Sequence, residues 1–458
     1  MHKVDWNSAL EPAYQHALTY LDGLPERPVT PAVTLEELRA ALGVPLPQGP
    51  QPPGEVVAAL AAAAGPGVVA SGAGRYFGFV VGGATPAALA ADWLTSVWDQ
   101  NAGLYVLGPS AMVCEEAAAG WAIDLLGLPP QTSAGFVTGA QMANFTALAI
   151  GVREVLRRLG RDVDADGLWG APKVRVLVGG ERHGTIDRAL RFLGMGKGCA
   201  VPVEADDQGR MLASALRETL AAGDGPAIVC AQAGNVNSGA IDPMGEIIDV
   251  AHEAGAWVHV DGAFGMWAAA SPQLRHMTAG IERADSWAVD AHKWLNVPYD
   301  SSLVLCAHPA AHQAAMGARA SYLMNAEHGE RDAVDYVPEH SRRARGFAVY
   351  AALRALGRDG VAELVERNCA MARRFALGLA AGGAEILNEV TLNQVLVRFG
   401  SDERTREVLK RVQEDGTCWM SGTTWRGVAA IRISVSNWST DESDVDRSVD
   451  TVLSCAAA

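Results

Sequence analysis

Lys293 stands in the run Asp290-Ala291-His292-Lys293-Trp294-Leu295, and an amine set between a histidine and apolar aromatic neighbours suits imine chemistry with an aldehyde. Taking an amine out of water favours its neutral, nucleophilic form. One lysine proves little, but the order of features along the chain adds weight. Upstream lie a strand ending in Asp261 (His259-Val260-Asp261-Gly262-Ala263) and a histidine just after another strand (Gly180-Glu181-Arg182-His183-Gly184). A strand-to-helix turn, Thr138-Gly139-Ala140-Gln141-Met142-Ala143-Asn144, comes first. Each has an ordinary reading as well. The turn is by itself any helix start, although its free N–H groups and positive dipole end suit a phosphate. A lone histidine is more often structural, and Asp261 could simply cap the turn at Gly262. A buried acid at the end of an apolar strand nevertheless needs a partner.

These side chains need elements that bring them to one edge. Apolar periodicity predicts helices over 141–159, 185–194, 209–222 and 244–254, alternating with strands at 174–179, 227–232, 256–260, 286–290 and 302–306. In the helix that follows the turn, Met142, Phe145, Leu148, Val152, Val155 and Leu159 form the expected buried face. Short, nearly continuous apolar strands separated by helices specify an α/β fold with a mostly parallel sheet covered on both faces. Residues 5–24 pattern as an amphipathic helix, followed by a Pro-rich linker over 25–53. Further helices run from about residue 85 through Trp98 and over Glu115–Leu126. After residue 345, helices near 346–382 and strands at 393–399 and 428–435 predict a small C-terminal α+β domain, its last helix boxed by Ser439 and Glu442. The expected division is 1–100 (helical arm), 101–310 (large sheet domain), 311–345 (mobile loop) and 346–458 (small domain). Arg342, Arg343 and Arg345 are expected as solvated or interface charges.

Composition narrows the class. At 458 residues the chain exceeds one ordinary core, and its formal net charge of −15 argues against nucleic acid or an anionic membrane as partner. The seven cysteines are scattered and lack C-x-x-C spacing, which fits a reducing cytoplasm and gives no metal site. The Ala-rich run 56–64 is too short to span a bilayer, and the N-terminus lacks the apolar stretch of a signal peptide.

On Thr138–Asn144, His183, His259–Ala263 and Asp290–Trp294, the chain resembles the group II pyridoxal-phosphate-dependent decarboxylases, the family of glutamate and aromatic amino-acid decarboxylases, over roughly residues 70–455. The resemblance implies fold type I of the pyridoxal enzymes, with Lys293 forming an imine with pyridoxal 5'-phosphate. It implies that His183 stacks on the pyridine ring, that Asp261 pairs with the ring nitrogen, and that Ala263 packs beneath the ring with His292 nearby. Ala140 and Gln141 would hold the phosphate through backbone N–H groups, Ala140 standing where a second glycine is more usual. Asn237 would lie near the phenolic oxygen, or simply form a turn. Asp290 departs from the asparagine many relatives carry, and a carboxylate there would repel phosphate unless it points away or meets a backbone N–H.

For the substrate, the resemblance implies that Tyr336, in a mobile loop, protonates the carbon after carbon dioxide leaves, although a loop tyrosine can also be a packing anchor. Arg432 is either a surface edge residue or a carboxylate clamp. Phe79 matches a pocket position that is aromatic in aromatic amino-acid decarboxylases, and Tyr105 would line the pocket from a neighbouring subunit. The expected activity is decarboxylation of an L-amino acid, leaning aromatic or apolar, to an amine and carbon dioxide by a cytoplasmic homodimer with shared sites. The competing expectations are aldol cleavage, amino transfer or oxidative deamination at the same carbon, or a catalytically silent cofactor-binding relative.

Overall fold

A computed structural model describes residues 5–317 and 329–457. Seven strands form the principal sheet: β1 (Ser133–Val137), β2 (Arg175–Gly179), β3 (Ala200–Val203), β4 (Ala227–Gln232), β5 (Trp257–Asp261), β6 (Ser286–Asp290) and β7 (Ser302–Cys306), in the order β1-β7-β6-β5-β4-β2-β3. Neighbours from β6 to β3 are parallel, and β7 runs antiparallel between β1 and β6. The strands are apolar because helices cover both faces, and β4, β5, β6 and β7 are buried along their whole length. This is the fold-type-I α/β architecture anticipated above.

The helix Ala140–Arg157 lies across β5, β6 and β7. It approaches closely at Gly151, where an added Cβ would meet the Trp257 ring at 3.0 Å. Of the expected buried face Leu148, Val152 and Val155 are buried, and Ala140, Ala143, Asn144, Thr146, Ala147, Ile150, Gly151 and Leu156 join them, so the face is shifted from the expected one. Met142 and Phe145 are only half-buried and Leu159, beyond the helix, is exposed, because the sheet rather than the bulkiest side chains selects the face.

The second sheet has four antiparallel strands, β8 (Glu385–Ile386), β9 (Gln394–Arg398), β10 (Ser421–Trp425) and β11 (Val428–Ser434), in the order β10-β11-β9-β8. Only β9 and β11 carry a clear apolar signal; β10 reads Ser-Gly-Thr-Thr-Trp and β8 is two residues long. The helix Gly346–Ala381 packs on β8 and β9 and on the helices Pro86–Trp98, Pro109–Leu125 and Glu442–Ala457, and bends at Gly357, whose φ of 63° suits glycine. The final helix, Glu442–Ala457, is boxed by Asp441 and Asp444, which exchange backbone-to-carboxylate bonds, and not by Ser439 and Glu442.

Two expected loops carry structure. The Pro-rich stretch contains the helix Leu35–Leu42, started by a capping box in which Thr34 and Glu37 exchange bonds. Within 311–345, the helix Pro309–Met316 is regular, residues 318–328 lie outside the described residues, and Arg342 is buried. Arg342 pairs with Glu115 at 2.8 Å and donates to the carbonyls of Ala102 and Phe136, so it is a buried clasp rather than a solvated charge. Arg343 and Arg345 pair with Asp92 and Asp300 within the chain.

At the sheet edge opposite the lysine, Asp285 accepts from His252, His308 and the Val258 N–H, tying the strands to a covering helix. Burial pushes this carboxyl up, but the three hydrogen bonds outweigh it and hold it at about 2. A pKa below its unfolded value of about 3.9 contributes stability above that pH and loses it as pH falls toward 2, at about 2 kcal/mol. The double variant His252→Ala/His308→Ala is therefore expected to lose stability at pH 7 and to unfold at higher pH in an acid titration followed by circular dichroism, its difference from wild type shrinking as pH falls from about 4 toward 2.

Candidate active site

The carboxyl ends of β4, β5 and β6 meet the start of the helix Ala140–Arg157 around a cavity of about 230 Å³. Gly139, Ala140, Gln141, His183, Thr185, Gln232, Gly234, Val236, Asp261, Ala263, Phe264, Asp290, His292 and Lys293 line it. Ligand crevices in such sheets fall at this edge because loops leave the strands there and helix N-termini converge on it.

Asp290, the last residue of β6, is the anchor. Its carboxylate accepts the Ala140 N–H at 2.7 Å through Oδ1 and the Lys293 ammonium at 2.9 Å through Oδ2. Burial pushes this carboxyl up, yet Lys293 and His292 outweigh that and hold it below the usual carboxylate range. The backbone N–H partner is the circumstance in which an acid at this position is tolerable. His292 accepts the Ser301 N–H at Nδ1 and stacks on Tyr299 with centroids 4.4 Å apart.

Asp261 ends β5 and is buried; Oδ2 accepts from Asn144 Nδ2 at 3.2 Å and Oδ1 from the Ala263 N–H at 3.3 Å. Thr185, at the start of the helix Gly184–Phe192, donates its N–H to His183 Nδ1 at 3.3 Å. His183 stands at the cavity mouth, where desolvation by the surrounding protein, then Lys293 and Arg432, hold its imidazole below the ordinary value against the pull of Asp261.

Arg432, on β11, is 9% exposed and its Nε has no hydrogen-bond partner among the described residues. Desolvation lowers its pKa from the ordinary value. A buried guanidinium without an anion is a site for one. It lies on the second sheet rather than on the cavity wall, near enough to His183 to act on its charge.

Besides Arg432, four expected residues do not line this cavity. Phe79 has a left-handed φ of 53°, and that turn sends its ring onto Trp419 at 5.2 Å, 59% exposed. Asn237 turns its amide oxygen to the Thr423 hydroxyl, so Gly234 and Val236 form the wall there. Tyr105 sits in a short helical turn whose N–H is held by Asp332. Tyr336 packs edge-on against His312 with Arg331 over its ring, and its carbonyl accepts from His312, the behaviour of a packing anchor. Thr185, Gln232, Val236, Phe264 and Asn144 were not anticipated; only Asn144 carried a signal, as a polar residue in a helix's apolar stripe.

The chain matches the family described as "Pyridoxal-dependent decarboxylase conserved domain" over residues 36–400. It is 26% identical over 437 residues to an aromatic-L-amino-acid decarboxylase of Bacillus atrophaeus, covering 92% of this chain and 89% of that one. It is 27% identical over 468 residues to tryptophan decarboxylase 1 of Oryza sativa subsp. japonica, covering 94% and 90%. In fold it is similar to the crystal structure of Oryza sativa TDC with PLP and tryptamine, with a TM-score of 0.92, 23% identity and coverage of 100% and 99%.

The Lys293 loop is set by a close approach from residues 78–83: a Cβ at Gly82 would lie 2.0 Å from the Lys293 carbonyl oxygen. Gly82→Ala is expected to cost about 1–3 kcal/mol in denaturant unfolding. Gly198→Ala, with nothing within 4 Å of the added carbon, serves as the control and is expected to change little.

Proposed function

We propose, from the premise that the chain belongs to the pyridoxal-dependent decarboxylase family, how its residues divide the work of removing carbon dioxide from an amino acid with pyridoxal 5'-phosphate. The observation that carries this is the cavity that gathers an amine, a carboxylate at a strand end, an imidazole and a helix start. That donor set fits the cofactor. Lys293 would hold it covalently through Nζ, Asp261 its ring nitrogen, His183 and Ala263 its two faces, and the Gln141 N–H at the helix start its phosphate, the Ala140 N–H being taken by Asp290, with His292 alongside. Bound there, the cofactor supplies an electron-poor ring that accepts the electron pair freed when the carboxylate leaves.

The chain's own residues do the rest. Asp290 holds Lys293 Nζ in place and also engages the Ala140 N–H, which leaves the neighbouring Gln141 N–H for an anion. Asp261 keeps a negative charge against a ring nitrogen, and His183 Nδ1 is occupied by Thr185, so its ring approaches as a neutral face. Arg432 takes the substrate carboxylate as its missing anion. Lys293 Nζ, placed in the cavity beside Asp290, would be the group to hold or pass a proton there. The substrate is an aromatic or other apolar L-amino acid: Val236, Ala263 and Phe264 make the wall apolar, no arginine lines it, and a second carboxylate would go unpaired. The similarity to decarboxylases of aromatic amino acids and tryptophan supports this.

The chain acts as a homodimer with shared sites, as its exposed apolar surface supports. The helices Asn7–Gly23, Leu35–Leu42 and Pro53–Ala64 bury no residue within the chain, and Trp93, Leu94, Val97 and Trp98 on the helix Pro86–Trp98 are all more than 40% exposed. Tyr105 and Phe79 would then serve a site across the interface. The seven cysteines are all free, which supports residence in the cytoplasm. Among the described residues no helix is long and apolar enough to cross a membrane, and no cluster is built to hold a metal.

Carbon dioxide release across the common L-amino acids, with added cofactor, is expected to peak on aromatic substrates with one amine formed per carbon dioxide; a preference for glutamate would refute the substrate reading. Lys293→Ala should lose both the visible absorbance of bound cofactor and turnover. Tyr336→Phe should keep amine production, since the ring lies on His312 and its bonding is through the backbone. In sedimentation velocity the wild type should run at twice the chain mass and Leu94→Asp/Val97→Asp at or near the chain mass; a wild-type monomer would remove the shared-site reading.

A further inference from the structure

Behind Asp261 runs a series of buried polar side chains that the cavity wall does not account for. Trp257 Nε1 donates to Ser286 Oγ at 3.0 Å, and His259 Nδ1 lies 3.1 Å from the same oxygen. His259 Nε2 is 2.9 Å from Asn144 Oδ1, and Asn144 Nδ2 reaches Asp261 Oδ2 at 3.2 Å and Thr185 Oγ1 at 3.1 Å. Thr185 Oγ1 is in turn 2.9 Å from His183 Nδ1. Asn144, His259, Ser286 and Trp257 are all 0% exposed, so each polar atom must find its partner here.

The protons of this series have one consistent arrangement. An ionised Asp261 only accepts, so the edge of Asn144 that faces it is the amide nitrogen. Asn144 Oδ1 then faces His259, which must present an N–H at Nε2. With its proton there, a neutral imidazole accepts at Nδ1, and Ser286 turns its hydroxyl hydrogen to that nitrogen. The Ser286 lone pairs are left for the Trp257 indole, which can only donate. The second Asn144 hydrogen goes to Thr185 Oγ1, which frees the Thr185 hydroxyl hydrogen for His183 Nδ1.

We propose that Asn144 and His259 are positioning residues that set the hydrogen-bonding state of both groups facing the cofactor ring, Asp261 as an acceptor and His183 as a neutral ring protonated at Nε2. The proposal rests on the reading above that Asp261 and His183 hold that ring. One amide with two hydrogens serves both, one going to Asp261 and the other to the Thr185 oxygen whose hydroxyl hydrogen, with the Thr185 N–H, faces His183 Nδ1. Burial holds His259 at about 4, which keeps the series in this direction; the one charged group facing it is Asp261, and Asn144, Ser286 and Trp257 are neutral. A protonated His259 would need an acceptor at Nδ1, and Ser286 would then have to turn its hydroxyl hydrogen away from the ring.

The first test needs no variant. Histidine proton–nitrogen correlation spectra of the full-length protein, with and without pyridoxal 5'-phosphate, are expected to show His259 neutral with its hydrogen on Nε2 between about pH 5 and 8. A hydrogen on Nδ1, or titration inside that window, overturns the proposal. The second test is the equilibrium affinity for pyridoxal 5'-phosphate of Asn144→Asp, which keeps the side-chain shape and replaces both donors. Orienting partners one shell out, at metal sites, are worth about 10–100-fold, and a loss in that range is expected here. His259→Gln, which keeps an N–H near the Nε2 position, should bind close to wild type, whereas His259→Phe should weaken as Asn144→Asp does. Wild-type affinity for Asn144→Asp beside a large loss for Asp261→Ala overturns the positioning role and spares the site; wild-type affinity for Asp261→Ala overturns the reading of the site as well. Should Asn144→Asp fail to fold, the spectra of the wild-type protein decide alone.

Discussion

The Asp290 side chain is 1% exposed, and a carboxylate at that depth must be met by donors or it destabilises the fold. Two of the donors that meet it, the Ala140 N–H and the Lys293 ammonium, come from segments about 150 residues apart. A single side chain therefore ties the end of β6, the start of the covering helix and the amine of the cavity into one geometry. Removing any of the three leaves a buried charge or an open helix start. The amine of the cavity is thus held by the same interaction that satisfies the sheet edge.

The same economy recurs around the lysine loop, where the two sheets meet. Asn296 has a φ of 55°, an unfavourable conformation for most side chains, and is fully buried. Its amide donates to the Trp294 and Ser436 carbonyls and accepts from the Gly83 and Trp438 N–H groups. Trp294 reaches Asn368, which in turn holds the Asn437 carbonyl. These bonds fasten the loop after Lys293 to the segment before residue 85 and to the end of β11. Arg432, two residues before Ser434 on that strand, is thereby placed relative to the amine by buried hydrogen bonds rather than by surface charge.

Electrostatics within the cavity run counter to the chain's acidic balance. Lys293, His183 and His292 line it with Asp261 and Asp290, and Arg432 lies behind. The net charge of −15 is a property of the whole composition and says little of the site. The reading of an apolar substrate depends on this local count, one buried guanidinium for one carboxylate, and not on composition.

Much of the fold was legible because its strands are buried on both faces: the runs at β2, β4, β6 and β7 stand out as apolar blocks between helices, and Lys293, Asp261 and His183 follow from their places at strand ends. Strands β8 and β10 were illegible because two residues, or a run of Gly and Thr at an edge, leave no periodic signal. The capping box at Thr34 was written in the residues but hidden within a Pro-rich stretch. Local order along one chain determined the type of chemistry, since a lysine, an acid after a strand and a glycine turn keep their meaning wherever the chain goes. What only the tertiary structure decided is which polar atoms meet: that Asp290 takes a helix start and the amine, that Asn144 stands behind Asp261 and Thr185, and that Phe79, Tyr336 and Asn237 turn elsewhere. Those outcomes rest on burial and hydrogen-bond satisfaction between segments far apart in sequence, and no local pattern encodes a partner more than a hundred residues away.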